Sequence, residues 1–253
     1  AYTQEAITAT DSCGWVVPNG VTEFDVLVVA GGGSGGYFQR AGGGGAGEVI
    51  YSTSPLSTIA GEQFLVDVGA GGGFSSSDDQ GKNGEDSRFG DFTALGGGGG
   101  GGGDPFRVAQ NGGSGGGESR CKSEDAPGQS LSTDRYTQFN ELGNDGGAAN
   151  GSCNAVSPGG GGGGAGSAGN DSGSGVSDNG AGGDAVQIFG RVVAGGGAAW
   201  QSGVGLGGKF GSTTVGGSWT GGIGKNGVNG TGSGGTSQGT GGDGIVVIRY
   251  QSP

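Results

Sequence analysis

Apolar residues in this chain come in short, widely separated bursts: 15–17 (WVV), 24–30 (FDVLVVA), 48–53 (EVIYST), 64–68 (FLVDV), 88–95 (RFGDFTAL), 185–194 (AVQIFGRVVA) and 245–250 (IVVIRY). They are rich in β-branched and aromatic residues, so each is predicted to be a strand, and Pro18-Asn19-Gly20 after the first is a turn signal. No segment carries an apolar period near 3.6, so essentially no α-helix is expected. Four bursts run straight into glycine: FDVLVVA before Gly31, FLVDVGA before Gly71, FTAL before Gly96 and GRVVA before Gly195. That recurrence predicts an all-β, layered molecule in which strands of a small β-sandwich continue as glycine segments. Loops at the far end, such as 75–88 and 167–179, carry Asn, Asp, Ser and Lys. Residues 1–12 read as an extended N-terminal segment able to add as a strand to a neighbouring subunit, and 13–253 as a single domain.

Composition decides what the glycine segments must be. Glycine supplies 74 of 253 residues, with unbroken runs at Gly96–Gly103 and Gly159–Gly164. It has no side chain to bury and loses the most backbone freedom on ordering, so such density is ordinarily read as disorder. Only 30% of the chain is hydrophobic, so any side-chain core is small and the rest of the stability must come from backbone. Collagen is excluded, because there is no Gly-X-Y period and there are six prolines. A packed layer of polyglycine II helices remains. This left-handed, three-residue-per-turn form rises about 3.1 Å per residue and leaves every N–H free to bond sideways.

The net charge of −12 and the absence of any basic stripe count against nucleic acid or an anionic membrane as partner. No apolar run approaches the roughly 20 residues of a membrane-spanning helix, so no membrane insertion is expected. A start at Ala1 with no methionine in the chain reads as a processed N-terminus and points to an extracellular protein. Asn150, Asn170 and Asn229 head glycosylation acceptor patterns. Of the three cysteines, Cys121 and Cys153 bracket the most polar loop and are the disulfide candidates, leaving Cys13 free or intermolecular.

Several chemical motifs fail on their own mechanics. Gly31-Gly32-Gly33-Ser34-Gly35-Gly36 has dinucleotide-fingerprint spacing, but it opens no helix to hold a pyrophosphate, so no cofactor is expected. Gly182-Gly183-Asp184 and Gly241-Gly242-Asp243 are half-matches to a calcium repeat and are not in tandem. Asp78, Asp79, Glu85 and Asp86 form an acidic loop that could hold Ca²⁺, though such carboxylates are more often simply solvated. Histidine is absent, which removes the commonest general base and most zinc sites, and no carboxylate pair is marked out for catalysis. Tyr37, Phe38, Phe74, Phe106, Tyr136, Phe139, Trp200, Phe210 and Trp219 fall outside the expected strands. They either form recognition loops for a sugar or protein surface or cap the glycine helices as local packing.

The order 15–33 (WVVPNGVTEFDVLVVAGGG), 42–51 (GGGGAGEVIY), 60–73 (AGEQFLVDVGAGGG) and 241–250 (GGDGIVVIRY) resembles the glycine-rich domain of phage tail-fibre and microbial surface proteins. Residues 104–153 depart from that pattern. The resemblance implies a β-sandwich extended by polyglycine II helices, similar to layers in some phage adhesins and in a springtail antifreeze protein, and it implies no enzymatic activity. The expected function is a non-enzymatic extracellular structural protein, a self-assembling subunit of a fibre or surface appendage. The alternative is an adhesin binding a cell-surface glycan or protein. Ice binding is a third reading, disfavoured because Thr213, Thr214, Thr231, Thr236 and Thr240 are irregularly spaced.

Overall fold

A computed structural model describes residues 2–10, 12–37, 40–74, 80–102, 108–119, 126–149, 158–173, 180–199, 206–218 and 224–252. The described residues contain fourteen strands and no helix, and hence no helix long and apolar enough to cross a membrane.

The larger sheet has strand order β1-β14-β3-β4-β9, formed by β1 (Tyr2–Ile7), β3 (Glu23–Val29), β4 (Val49–Ser52), β9 (Phe139–Leu142) and β14 (Ile245–Gln251). The short β5 (Leu56–Ser57) also pairs with β3. A second sheet, β2-β6-β7-β8, contains β2 (Cys13–Val16), β6 (Gln63–Asp67), β7 (Ser87–Phe89) and β8 (Phe92–Ala94). All named pairings are antiparallel.

Strand alternation divides the core in two. Phe24, Val26 and Val28 of β3, with Val246, Ile248 and Tyr250 of β14, face the second sheet and meet Trp15, Val66 and Phe89. Leu27 and Val29, with Ile245 and Val247, face the other way, against Val193, Ala46, Ala165 and Ala194. Burial on both faces explains why these strands read as continuous apolar runs instead of alternating ones. An aromatic cluster fills the inter-sheet space: Trp15 stands edge-on to Phe24 at 5.1 Å, and Phe64 stacks on Phe89 at 4.9 Å.

Two expected single strands are hairpins. Residues 88–95 fold back at Gly90, whose φ of 55° reverses the chain between β7 and β8. Residues 185–194 fold back between β10 (Val186–Ile188) and β11 (Arg191–Val193), because Phe189 and Gly190 both have positive φ, 51° and 79°, as a two-residue mirror-image turn requires. β12 (Lys209–Phe210) and β13 (Thr213–Thr214) form a third small hairpin. The polar middle, in which no apolar burst marks a strand, supplies β9. β1 is also already used within the chain, Tyr2 lying opposite Gln251 and Ile7 opposite Val246.

Register places the glycine runs at one end of the sandwich. Val29 is opposite both Val49 and Ile245, and Val49 is opposite Leu142, so the chain leaves or enters the larger sheet there at four points. Beyond that end, backbone hydrogen bonds follow a three-residue period. In 42–48, the N–H groups of Gly42, Gly45 and Glu48 donate to Gly101, Gly98 and Leu95; those of Gly43 and Ala46 donate to Gly160 and Gly163; those of Gly44 and Gly47 donate to Gly235 and Gly232, all at 2.8–3.1 Å. In 160–165 the neighbours alternate likewise: Gly160 and Gly163 donate to Glu118 and Gly115, Gly161 and Gly164 to Asn170 and Ser167, Gly162 and Ala165 to Gly197 and Ala194. Each run therefore donates to three neighbours in rotation. The approach is too close for side chains: a Cβ on Gly97 would overlap the Gly45 carbonyl, and one on Gly162 the Gly44 carbonyl.

Candidate functional site

Where a run lacks a neighbouring run, a side chain takes the place of the missing carbonyl. The Asp86 Oδ1 accepts from the buried Gly96 N–H at 2.9 Å, Asn83 Oδ1 from Gly99 at 2.8 Å and Asp243 Oδ1 from Gly71 at 2.9 Å. Asp145 accepts from Ser130 at 2.6 Å, Asp171 from Ala148 at 2.7 Å and Asn226 from Thr240 at 3.0 Å. Acidic residues expected to be solvated are thus acceptors for backbone donors, because an orphaned buried N–H is costly and a short Asx side chain reaches it. Replacing Asp86 with Ala should cost about 1–3 kcal/mol by stranding Gly96 N–H, whereas Asn, which keeps the acceptor oxygen, should cost little. Urea denaturation of the two variants tests this.

Of the acidic loop, Glu85 accepts weakly from Ala70 N–H at 3.4 Å, while Asp78 and Asp79 lie outside the described residues. Among the described residues no group of His, Cys, Asp and Glu converges on a metal geometry.

Among the described residues, one arginine bridges two carboxylates where the polar middle segment meets the sandwich. Glu48 opens β4 with no exposed side-chain surface, and its Oε2 accepts from Leu95 N–H at 2.8 Å and from Arg135 Nη2. Arg135 Nε donates to Glu141 Oε2 at 2.8 Å, and the other Glu141 oxygen accepts from Tyr136 N–H at 2.7 Å. Burial pushes the Glu48 carboxyl above its usual 4.5, outweighing the Leu95 N–H, the neighbouring Ser132 hydroxyl and Arg135, all of which pull the other way. Ser132 faces this carboxylate without a well-aligned hydrogen bond, so its hydroxyl and Glu48 Oε1 both stay short of a good partner. Arg135, desolvated but gripped by two carboxylates, is held above its usual value. With Glu48 fully buried and bonded on two sides, the arrangement acts as a clamp. It ties β4, β9 and the start of the 96–102 run together.

On the inter-sheet side, Glu5 of β1 accepts from Tyr250 Oη–H at 2.6 Å and from Trp15 Nε1–H at 3.2 Å. The Glu5 bond is the main reason that the Tyr250 hydroxyl is pushed up to about 12.

Of the loop aromatics, those among the described residues take separate places. Phe139 is buried at the start of β9. Tyr136 packs edge-on to Phe92 at 5.3 Å, and its hydroxyl accepts from Thr93 N–H, so both rings belong to the sandwich. Phe210 is exposed in β12. Tyr37 and Phe74 pair edge-to-face at 5.8 Å beside the glycine layer. Phe38, Phe106, Trp200 and Trp219 lie outside the described residues, as do Cys121, Cys153 and Asn150. Cys13 is a free, half-buried thiol packed against the aromatic core. Asn170 and Asn229 are exposed. An apolar hollow of about 360 Å³ opens between the sheets beside Phe24, Leu56, Phe64 and Phe92.

The model of one family, described as a glycine-rich domain, matches residues 8–251. The chain belongs to the glycine-rich domain family. A comparison with curated proteins finds no match. The match covers every strand but β1, which precedes it, and the polar middle segment lies inside the matched domain.

Sequence reasoning missed the clamp in this glycine-rich domain. Glu48 looked like a strand-start residue, and Arg135 is separated from it by 87 positions. The available signal was a charged residue inside an otherwise apolar strand opening, which demands a buried partner.

Proposed function

We propose that this glycine-rich domain is a non-enzymatic extracellular structural protein, a self-assembling subunit of a fibre or surface appendage, whose glycine runs form a packed bundle of polyglycine II helices. The observation that carries the reading is the rotation of donors among three neighbours along 42–48 and 160–165. A three-fold extended helix points successive N–H groups about 120° apart, as that rotation needs. Such a block is stiff, needs few apolar residues and suits a spacer or shaft. Electron microscopy of native material should reveal fibres or regular assemblies; isolated monomers at high concentration would overturn the reading.

A second reading, a receptor- or glycan-binding adhesin, draws support from the Tyr37–Phe74 ring pair beside the glycine layer. If recognition lies in the aromatic loops, replacing Trp200 and Trp219 together with Ala should abolish cell or glycan binding with the fold intact. Unchanged binding would exclude those loops.

A further inference from the structure

An edge strand presents a row of unsatisfied backbone donors and acceptors, and proteins normally blunt it with proline, lysine, a bulge or a covering loop. The larger sheet has two edges, and they are treated differently. The β9 edge is encumbered: Phe139 N–H donates to the Tyr136 carbonyl, and the preceding Arg135 side chain and Tyr136 N–H both bond the Glu141 carboxylate of that strand. The β1 edge is bare. Among the described residues its backbone pairs with β14 alone. It contains no proline or lysine, and its sole charge, Glu5, is occupied by Tyr250 and Trp15.

We infer that β1 is a dimerisation edge, where the six-residue strand pairs antiparallel with β1 of a second copy across a two-fold axis and continues the larger sheet from one subunit into the other. The inference rests on the self-association reading and specifies one contact of it, a closed pair from which a longer assembly is built through a second surface. With Arg135 and Tyr136 folded beside the β9 edge, a β1-to-β9 head-to-tail contact is disfavoured against pairing between identical edges, the commonest kind of closed contact. Register follows from charge and facing. A two-fold perpendicular to the sheet keeps each side chain on its own face, so opposed residue numbers add to an even number. A sum of ten sets Glu5 against Glu5 of the second copy, which like charge disfavours. A sum of eight avoids this with the longest remaining overlap. It places Gln4 on the axis opposite itself, Thr3 opposite Glu5 and Tyr2 opposite Ala6. Gln4 is already steadied by its side chain's bond to the Phe189 carbonyl at 3.2 Å, so little order is lost on pairing.

The test uses the full chain with its native cysteines. Gln4→Cys under mild oxidation should give a covalent dimer of twice 23.8 kDa, because residues opposed in an antiparallel pair lie within disulfide reach. Gly73→Cys, at an open backbone position, should give no more than the unaltered chain. In sedimentation velocity, Thr3→Glu should weaken the dimer about tenfold by facing Glu5 twice, and Thr3→Lys should tighten it. A monomer at every concentration, or cross-linking of Gln4→Cys no greater than that of Gly73→Cys, would overturn the inference. Fibres seen by microscopy alongside either result would leave the self-assembly reading standing and move its contact elsewhere.

Discussion

Replacing Gly162 with Ala should destabilise the protein by about 3 kcal/mol or more, the upper range for forcing extra volume into a filled interior. Gly162 is buried within the 159–164 run, and its N–H donates to Gly197 at 2.9 Å. Gly197 in turn donates to the carbonyl of Gly44, and a Cβ on Gly162 would overlap that same carbonyl. The neighbour that must move is backbone already committed to another run, so the clash cannot be relieved by a side-chain rotation. Displacing it also strands N–H groups with no water to accept them, each adding about 1–3 kcal/mol. Gly14→Ala is the control. Gly14 lies exposed in β2 with nothing near its would-be Cβ, so alanine there should be neutral or stabilise by up to about 1 kcal/mol through the unfolded chain. Denaturant midpoints of the two variants measure the contrast; equal midpoints would show that the close approach between runs is not what holds them.

Arg135→Ala should carry the next largest cost, about 3 kcal/mol at neutral pH. Removing one partner of a buried pair leaves the other charge uncompensated, and Glu48 has no exposed side-chain surface. The cost lies at the low end of the usual range because the Arg135 side chain is itself 27% exposed. The pH dependence has a definite sign. The folded-state carboxyl of Glu48 is raised above 4.5, so its contribution to stability is fully present below 4.5 and is lost as pH rises through the folded value. Without the arginine that value rises further. The cost of Arg135→Ala should therefore be small at pH 4, grow as pH rises and level off above the new value. Glu48→Gln in the same background should recover most of the loss at pH 7 and leave stability nearly flat over this window. A cost independent of pH between 4 and 8 would mean that Glu48 is not the group left unpaired.

The strands were legible because burial on both faces demands runs such as FDVLVV and IVVIRY, which periodicity reads directly. The hairpins were passed over: Gly90-Asp91 is a two-residue turn pair inside an apolar burst, and Phe189-Gly190 reverses the chain with no polar turn residue. Glycine density correctly pointed to backbone as the cohesive material. Which run meets which depends on contacts between segments more than a hundred residues apart, such as Gly44 with Gly235, and identical residues carry no address. The Asx acceptors escaped notice for a related reason: Asp86 and Asp243 look like solvated loop residues until the donor they serve is located in space. Tyr136 and Phe139, outside the expected strands and with local packing as one of their two readings, pack in the sandwich, a role that no local pattern announces.

The three-residue rotation of donors has a consequence for how such chains can change length. Removing one glycine from the 96–102 run would turn every later N–H by a third of a turn, away from its own acceptor and toward a different run. Removing three, with a matching triplet from each neighbour, would return all of them to their partners one layer shorter. The domain thus has an internal reading frame written in residues, and thickness in this fold is quantised in triplets.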